Sequence, residues 1–252
     1  MSLLFILAAL PVALILFYVY RKDVNKEPIG KLILTFVVGC LSVIPAILME
    51  FSLGKYAPST PIMNGLYNGF VVAAFSEELW KLLLLILVIW KSREFNEYFD
   101  GIVYAVYISM GFAFVENLTY VFSPDDFVGS FSTAMVRAIV SVPGHFLFAV
   151  AMGYYLSLAK FDPAHWGKHL FMALFVPIML HGTFDAILMV SDNLSQFEGL
   201  NYIIGALELV GFIGFDIHLW NKGIKRIKKM HEMSQEQGFN PQNPFENFRW
   251  DF

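Results

Sequence analysis

The chain has 252 residues, of which 57% are apolar or aromatic and only 15% charged, with a formal net charge of −4 and a mean hydropathy of +0.60. A soluble domain carries about 25% charged residues, so a water-soluble enzyme and a nucleic-acid partner are both excluded in favour of an all-α, multi-span membrane protein. The one cysteine, Cys40, lies in an apolar run and rules out an intramolecular disulfide.

A bilayer core of about 30 Å needs roughly 20 apolar residues of helix. Seven stretches qualify, at about 2–20, 31–53, 62–90, 101–122, 131–159, 169–190 and 198–220. The first lacks a basic segment before it and is followed by positive charge, so it reads as a retained anchor rather than a cleaved signal. The third and fifth are too long for upright helices and must tilt, break or protrude. Pro143 offers a kink within the fifth. Basic residues cluster after spans 1, 3, 5 and 7, thirteen of the 17 in all, whereas Lys55 stands alone on the opposite side. The positive-inside rule then gives seven spans with the N-terminus out and the C-terminus in. Residues 1–221 form the membrane domain. Residues 222–252 form a basic juxtamembrane segment, read as an inner-leaflet anchor, and a polar cytoplasmic tail. From His231 onward the tail is rich in Gln and Asn and reads as disordered.

Several ionisable residues lie inside the spans: Glu77, Glu78 and Lys81 in the third, Glu116 in the fourth, Arg137 and His145 in the fifth, His181 and Asp185 in the sixth, and Glu208 in the seventh. Each charge near mid-membrane costs at least ~2.5–3.5 kcal/mol, so span 3 alone carries a penalty on the order of 8–10 kcal/mol. Such groups must face one another or a wet cavity. Glu77 and Lys81 are i,i+4 and share a helix face, as do His181 and Asp185, and Phe112 and Glu116. Arg137 and His145 lie eight apart, close enough in phase to share a broad face if span 5 is one helix. At 1.5 Å per residue the groups fall within roughly 10 Å of depth, at the midplane and just outward of it. That pattern suggests one polar cavity opening toward the outer side. Structural readings exist for individual members. Lys81 suits a self-neutralising ion pair, Arg137 suits snorkelling, and Glu208 suits helix packing beside Gly205 and Gly211.

Two chemistries follow from this residue set. A carboxylate acts as general base on water, with His and Arg or Lys stabilising the oxyanion. Alternatively, Glu78, Glu116, His145, His181 and Asp185 hold a divalent ion such as Zn2+, which activates the water. Both lead to amide hydrolysis. The same groups would also serve proton- or ion-coupled transport, or a non-catalytic scaffold or sensor. The chain has no H-E-x-x-H (His231-Glu232 opens one, but Gln235 closes it) and no G-x-S-x-G.

Glu77-Glu78-Leu-Trp-Lys81 reads EExxK, Phe112-Ala-Phe-Val-Glu116 reads FxxxE and is followed by Asn117, His145 follows Pro-Gly, and His181-Gly-Thr-Phe-Asp185 reads HxxxD. This order, over about residues 1–220, resembles the PrsW family of intramembrane proteases, which is similar to the larger group of CAAX prenyl proteases and Abi proteins. The CAAX pattern has EExxxR and FxxxH where this chain has Lys81 and Glu116, which weighs against a prenyl-protein substrate. The resemblance implies a bacterial, multi-pass cell-membrane endopeptidase acting on a membrane-anchored protein, such as an anti-sigma factor at its first cleavage site. It implies catalytic roles for Glu77, Glu78, Lys81, Glu116, His145, His181 and Asp185, and it leaves metallo- and glutamic-type mechanisms both open.

Overall fold

The computed structural model describes residues 2–23, 25–195 and 201–238. Among them there are helices and no strands. In chain order these are α1 (Ser2–Lys22), α2 (Ile29–Gly54), α3 (Pro61–Tyr67), a π-helical segment (Asn68–Ala74), α4 (Phe75–Ile89), α5 (Asp100–Val121), α6 (Phe127–Ile139), α7 (Ser141–Phe161), a 3-10 turn (Pro163–His165), α8 (Trp166–Ser195) and α9 (Asn201–Gly238). Five stretches among the described residues are long and apolar enough to cross a membrane: 2–22, 29–54, 100–121, 127–161 and 163–194. The architecture is that of an all-α polytopic membrane protein.

The centre of the bundle is α5. It is apolar on every side, and Ile102, Val103, Ala105, Val106, Ile108, Met110 and Ala113 are all fully buried. Helices α1, α2, α4, α6 and α7 pack around it. In contrast, α1 and α2 leave Leu14, Phe17, Ile44, Leu48 and Phe51 exposed, as lipid-facing helices do. Without a hydrophobic drive between helices in lipid, close contact depends on small residues. Gly65 and Gly69 stand at GxxxG spacing against α8. A Cβ on either would come within 2.7 Å of a backbone nitrogen, that of Val190 or Ala186 respectively.

The long third stretch does not break. Residues 61–89 run on as α3, the π segment and α4, so the surplus length is taken up by widening the helix just before Glu77. The fifth stretch does break. Val140 (φ −114°, ψ −65°) separates α6 from α7, three residues before Pro143, whose missing N–H and ring disfavour a continuous helix through residue 139. Arg137 and His145 therefore sit on two helices, and the shared-face argument for them fails.

Residues 231–238, expected to be disordered, are helical. Helix α9 continues to Gly238, because Leu219, Gly223, Ile227, Met230 and Ser234 recur at helical spacing and are buried. Ser234 Oγ accepts a 2.8 Å hydrogen bond from the Phe99 backbone N–H, which ties α9 to the start of α5. Residues 239–252 and the side chain of Glu208 lie outside the described part.

Candidate active site

Four helices bring their charged residues to one level. Glu77, Glu78 and Lys81 come from the first two turns of α4, Glu116 from α5, His145 from α7, and His181 and Asp185 from α8. Lys81 is fully buried, and its Nζ lies 2.8 Å from Glu78 Oε1 and 3.0 Å from Glu77 Oε2. It also lies 3.5 Å from His145 Nδ1 and 4.1 Å from the centroid of the Phe112 ring. A buried ammonium needs such partners, because desolvation alone would cost several kcal/mol.

The two imidazoles extend this contact into a continuous network. His145 Nε2 is 2.8 Å from Glu116 Oε2, which also accepts from Arg137 Nη2 at 2.7 Å. His181 lies between two carboxylates, with Nδ1 2.9 Å from Glu78 Oε1 and Nε2 3.2 Å from Asp185 Oδ2. An ammonium only donates and a carboxylate only accepts. His145 therefore donates Nε2–H to Glu116 and presents its Nδ1 lone pair to Lys81. Each ring nitrogen of His181 faces a carboxylate oxygen, so His181 donates an N–H to at least one of them. Phe148 stacks on His181, with centroids 4.8 Å apart and an 18° tilt, and Ser109 donates a 3.1 Å hydrogen bond to the His145 carbonyl. These contacts fix both rings. Gly182, beside His181, lies against the Phe70 ring of the π segment, where any Cβ would collide.

Arg137 does not snorkel. Its Nε donates to Asn117 Oδ1 at 2.9 Å, and its guanidinium lies 4.3 Å from the Tyr120 ring centroid. The break at Val140 is what lets α6 aim this residue inward. Above the network is a cavity of about 1120 Å³, lined by Glu77, Glu116, Arg137, His145, His181 and Asp185 among others. Glu78 and Lys81 lie beneath it, both fully buried. Glu50 on α2 also lines the cavity. The sequence reading passed over Glu50, although an acid inside the apolar run of span 2 was a visible signal.

One ligand atom from each of Glu77, Glu78, His145 and His181 lies within 4.8 Å of the others. Glu77, absent from the expected ligand set, belongs to this group. Glu116 and Asp185, which were included, stand behind the imidazoles instead. Carboxylate and imidazole donors suit a Zn2+-like ion, and a carboxylate behind each ligating His is the usual outer support. Glu78 Oε2 is buried with no hydrogen-bond partner. Among the described residues, the four carboxylates Glu77, Glu78, Glu116 and Asp185 meet two permanent cations, Lys81 and Arg137. The residues therefore fit a divalent cation, both in donor type and in charge.

Comparison with known proteins identifies the family. The family model described as PrsW family intramembrane metalloprotease matches residues 27–213. Protease PrsW of Clostridioides difficile strain 630 is 39% identical over 94% of this chain and 94% of its own length. The Halalkalibacterium halodurans protein of that name is 33% identical, covering 93% and 99%, and that of Bacillus subtilis strain 168 is 30% identical, covering 88% and 93%. No solved structure matches. With most of its length matched by the model and by full-length relatives, the chain belongs to the PrsW family and is an intramembrane protease, a multi-pass protein of the bacterial membrane.

Proposed function

We propose that Glu77, Glu78, His145 and His181 form the hydrolytic centre of this protease. The observation that carries the reading is the convergence of these four side chains from three helices at the floor of a cavity large enough for an extended peptide segment. Glu77 reaches the cavity and is the general base. It takes a proton from water as the water oxygen attacks the scissile carbonyl carbon. The C–N bond then breaks, and the proton passes to the departing amine, leaving a carboxylate and an amine. Glu78, His145 and His181 would hold a divalent ion such as Zn2+. When bound, it would supply Lewis-acid polarisation of the carbonyl and a lowered water pKa. Glu116 and Asp185 orient the two imidazoles, Lys81 holds Glu77 and Glu78 in register, and Arg137 provides fixed positive charge at the cavity wall.

The distribution of basic residues supports an N-out, C-in orientation, with the cavity open to the outer face. It also supports a seven-span catalytic domain over 1–221 and a cytoplasmic segment over 222–252. The substrate is then a membrane-anchored protein cut near the outer surface, of which an anti-sigma factor undergoing first-site cleavage is an example. The motif order EExxK, FxxxE, HxxxD supports a distant relation to the CAAX prenyl proteases.

The test is metal content and cleavage of a single-span peptide in proteoliposomes. Chelation should stop cleavage and Zn2+ should restore it. His145→Ala/His181→Ala protein should be inactive and should bind one equivalent of metal fewer than wild type. Full cleavage by metal-free wild-type protein would overturn the metal assignment, and cleavage by the double variant would overturn the site.

A further inference from the structure

The hinge between α7 and α8 holds a second set of ligating side chains. Asp162 ends α7, His165 closes the 3-10 turn, and His169 lies in the first turn of α8. One ligand atom from each lies within 4.8 Å of the others. His165 Nδ1 is 3.0 Å and His169 Nε2 is 3.2 Å from the same oxygen, Asp162 Oδ2. Two donors bonded at 2.0–2.1 Å to one tetrahedral ion are separated by about 3.3 Å. Two of the three separations, those to Asp162 Oδ2, therefore already stand near the edge length of a coordination tetrahedron, and the third is within 4.8 Å. The His165 side chain is 64% exposed and gives an entry path from solvent, whereas the His169 side chain is only 17% exposed. Its Nδ1 is buried without a hydrogen-bond partner, so Nε2 is its engaged nitrogen. Two imidazoles i,i+4 apart with a carboxylate three residues before them make a mixed N/O set that suits Zn2+ or a similar transition ion over Mg2+ or Ca2+.

We propose that Asp162, His165 and His169 form a divalent transition-metal site, distinct from the hydrolytic centre, that clamps the α7–α8 turn. The two helices it joins carry His145 and His181. Asp162 is 17 residues from His145, about 25 Å along α7, and His169 is 12 residues from His181, about 18 Å along α8. The ion is thus too far from the hydrolytic centre to touch the substrate. It acts by fixing the relative rotation of the two helices that carry the imidazoles.

Co2+ titration of the full-length protein in detergent, read by its visible d–d absorption, tests the site. His165→Ala/His169→Ala should bind one equivalent fewer than the wild type. Asp162→Asn should weaken binding by more than the ~10–100-fold of an outer-shell change. His145→Ala/His181→Ala should retain this equivalent, which separates the claim from the fate of the hydrolytic centre. A second readout is thermal unfolding: added Zn2+ should raise the Tm of wild type and of His145→Ala/His181→Ala, but not through this site in His165→Ala/His169→Ala. Equal stoichiometry in wild type and His165→Ala/His169→Ala would overturn the proposal and leave Asp162 as an ion-pair acceptor only. Should the double variant fail to fold, exposed His165→Ala decides by the same criteria.

Discussion

Lys81→Met tests how the buried charges at the centre are balanced. The Lys81 ammonium donates to Glu77 and Glu78 at 3.0 and 2.8 Å with none of its own surface exposed. Removing one partner of a buried ion pair costs about 3–5 kcal/mol, because the opposite charge is left uncompensated. Here two carboxylates share the cation, so the Met variant should reach the upper part of that range in metal-free protein. Lys81→Met/Glu77→Gln removes one of the stranded charges and should recover part of the loss, with a coupling of about 1–3 kcal/mol. Added Zn2+ should also narrow the deficit, since a divalent ion can replace the missing charge. Denaturant unfolding in mild detergent, run as a four-protein cycle with and without Zn2+, measures each term. Metal-free Lys81→Met protein as stable as wild type, or additive losses in the double variant, would refute the reasoning.

Other consequences are equally concrete. Glu116→Gln keeps the shape but removes the anionic partner of His145 and Arg137, so metal affinity and turnover should each fall ~10–100-fold, read by chelator competition and peptide cleavage. Gly69→Leu places a side chain where the Cβ alone would lie 2.7 Å from the Ala186 backbone nitrogen, and should lower stability by about 1–3 kcal/mol or more in thermal unfolding. Glu27, in the loop between α1 and α2, is pushed up to about 7 by burial, against the opposing effect of its hydrogen bond from Tyr104. A carboxyl whose pKa is higher in the folded state than its unfolded value of about 4.3 binds more protons when folded. Its contribution is complete below the unfolded value and is lost as pH rises through about 7. The Tm should therefore fall between about pH 4 and 7 and level off above that, and Glu27→Gln should flatten that slope; an unchanged slope in the variant would remove Glu27 as its source.

The all-α polytopic class and the convergence of the intramembrane charges were legible because hydropathy and helical spacing report directly on a bilayer and on a helix face. What sequence spacing does not encode is how two helices meet. Lys81 reads as a partner for Glu77 at i,i+4, yet its ammonium also reaches Glu78 and the Nδ1 of His145 on α7. Arg137 reads as a snorkelling residue on a long span, and only the break at Val140 turns it onto Glu116. Pro143 marked the region of that break but not its position. The π segment at 68–74 has no simple residue signature, although Gly65 before it and Gly69 within it do signal close packing. The continuation of α9 past residue 221 was hidden by composition, since its polar residues outnumber the buried Ile227, Met230 and Ser234 that dock it.

The central claim is that Glu77 activates the water that cuts the substrate. Glu77→Gln preserves size and one acceptor oxygen while removing the base. The direct measurement is kcat for cleavage of a single-span peptide by purified protein in proteoliposomes, with metal content determined on the same samples. The account predicts that kcat falls ~10²–10⁴-fold, the usual contribution of a positioned general base, while metal content and fold persist. A Glu77→Gln protein that cleaves at the wild-type rate would contradict it.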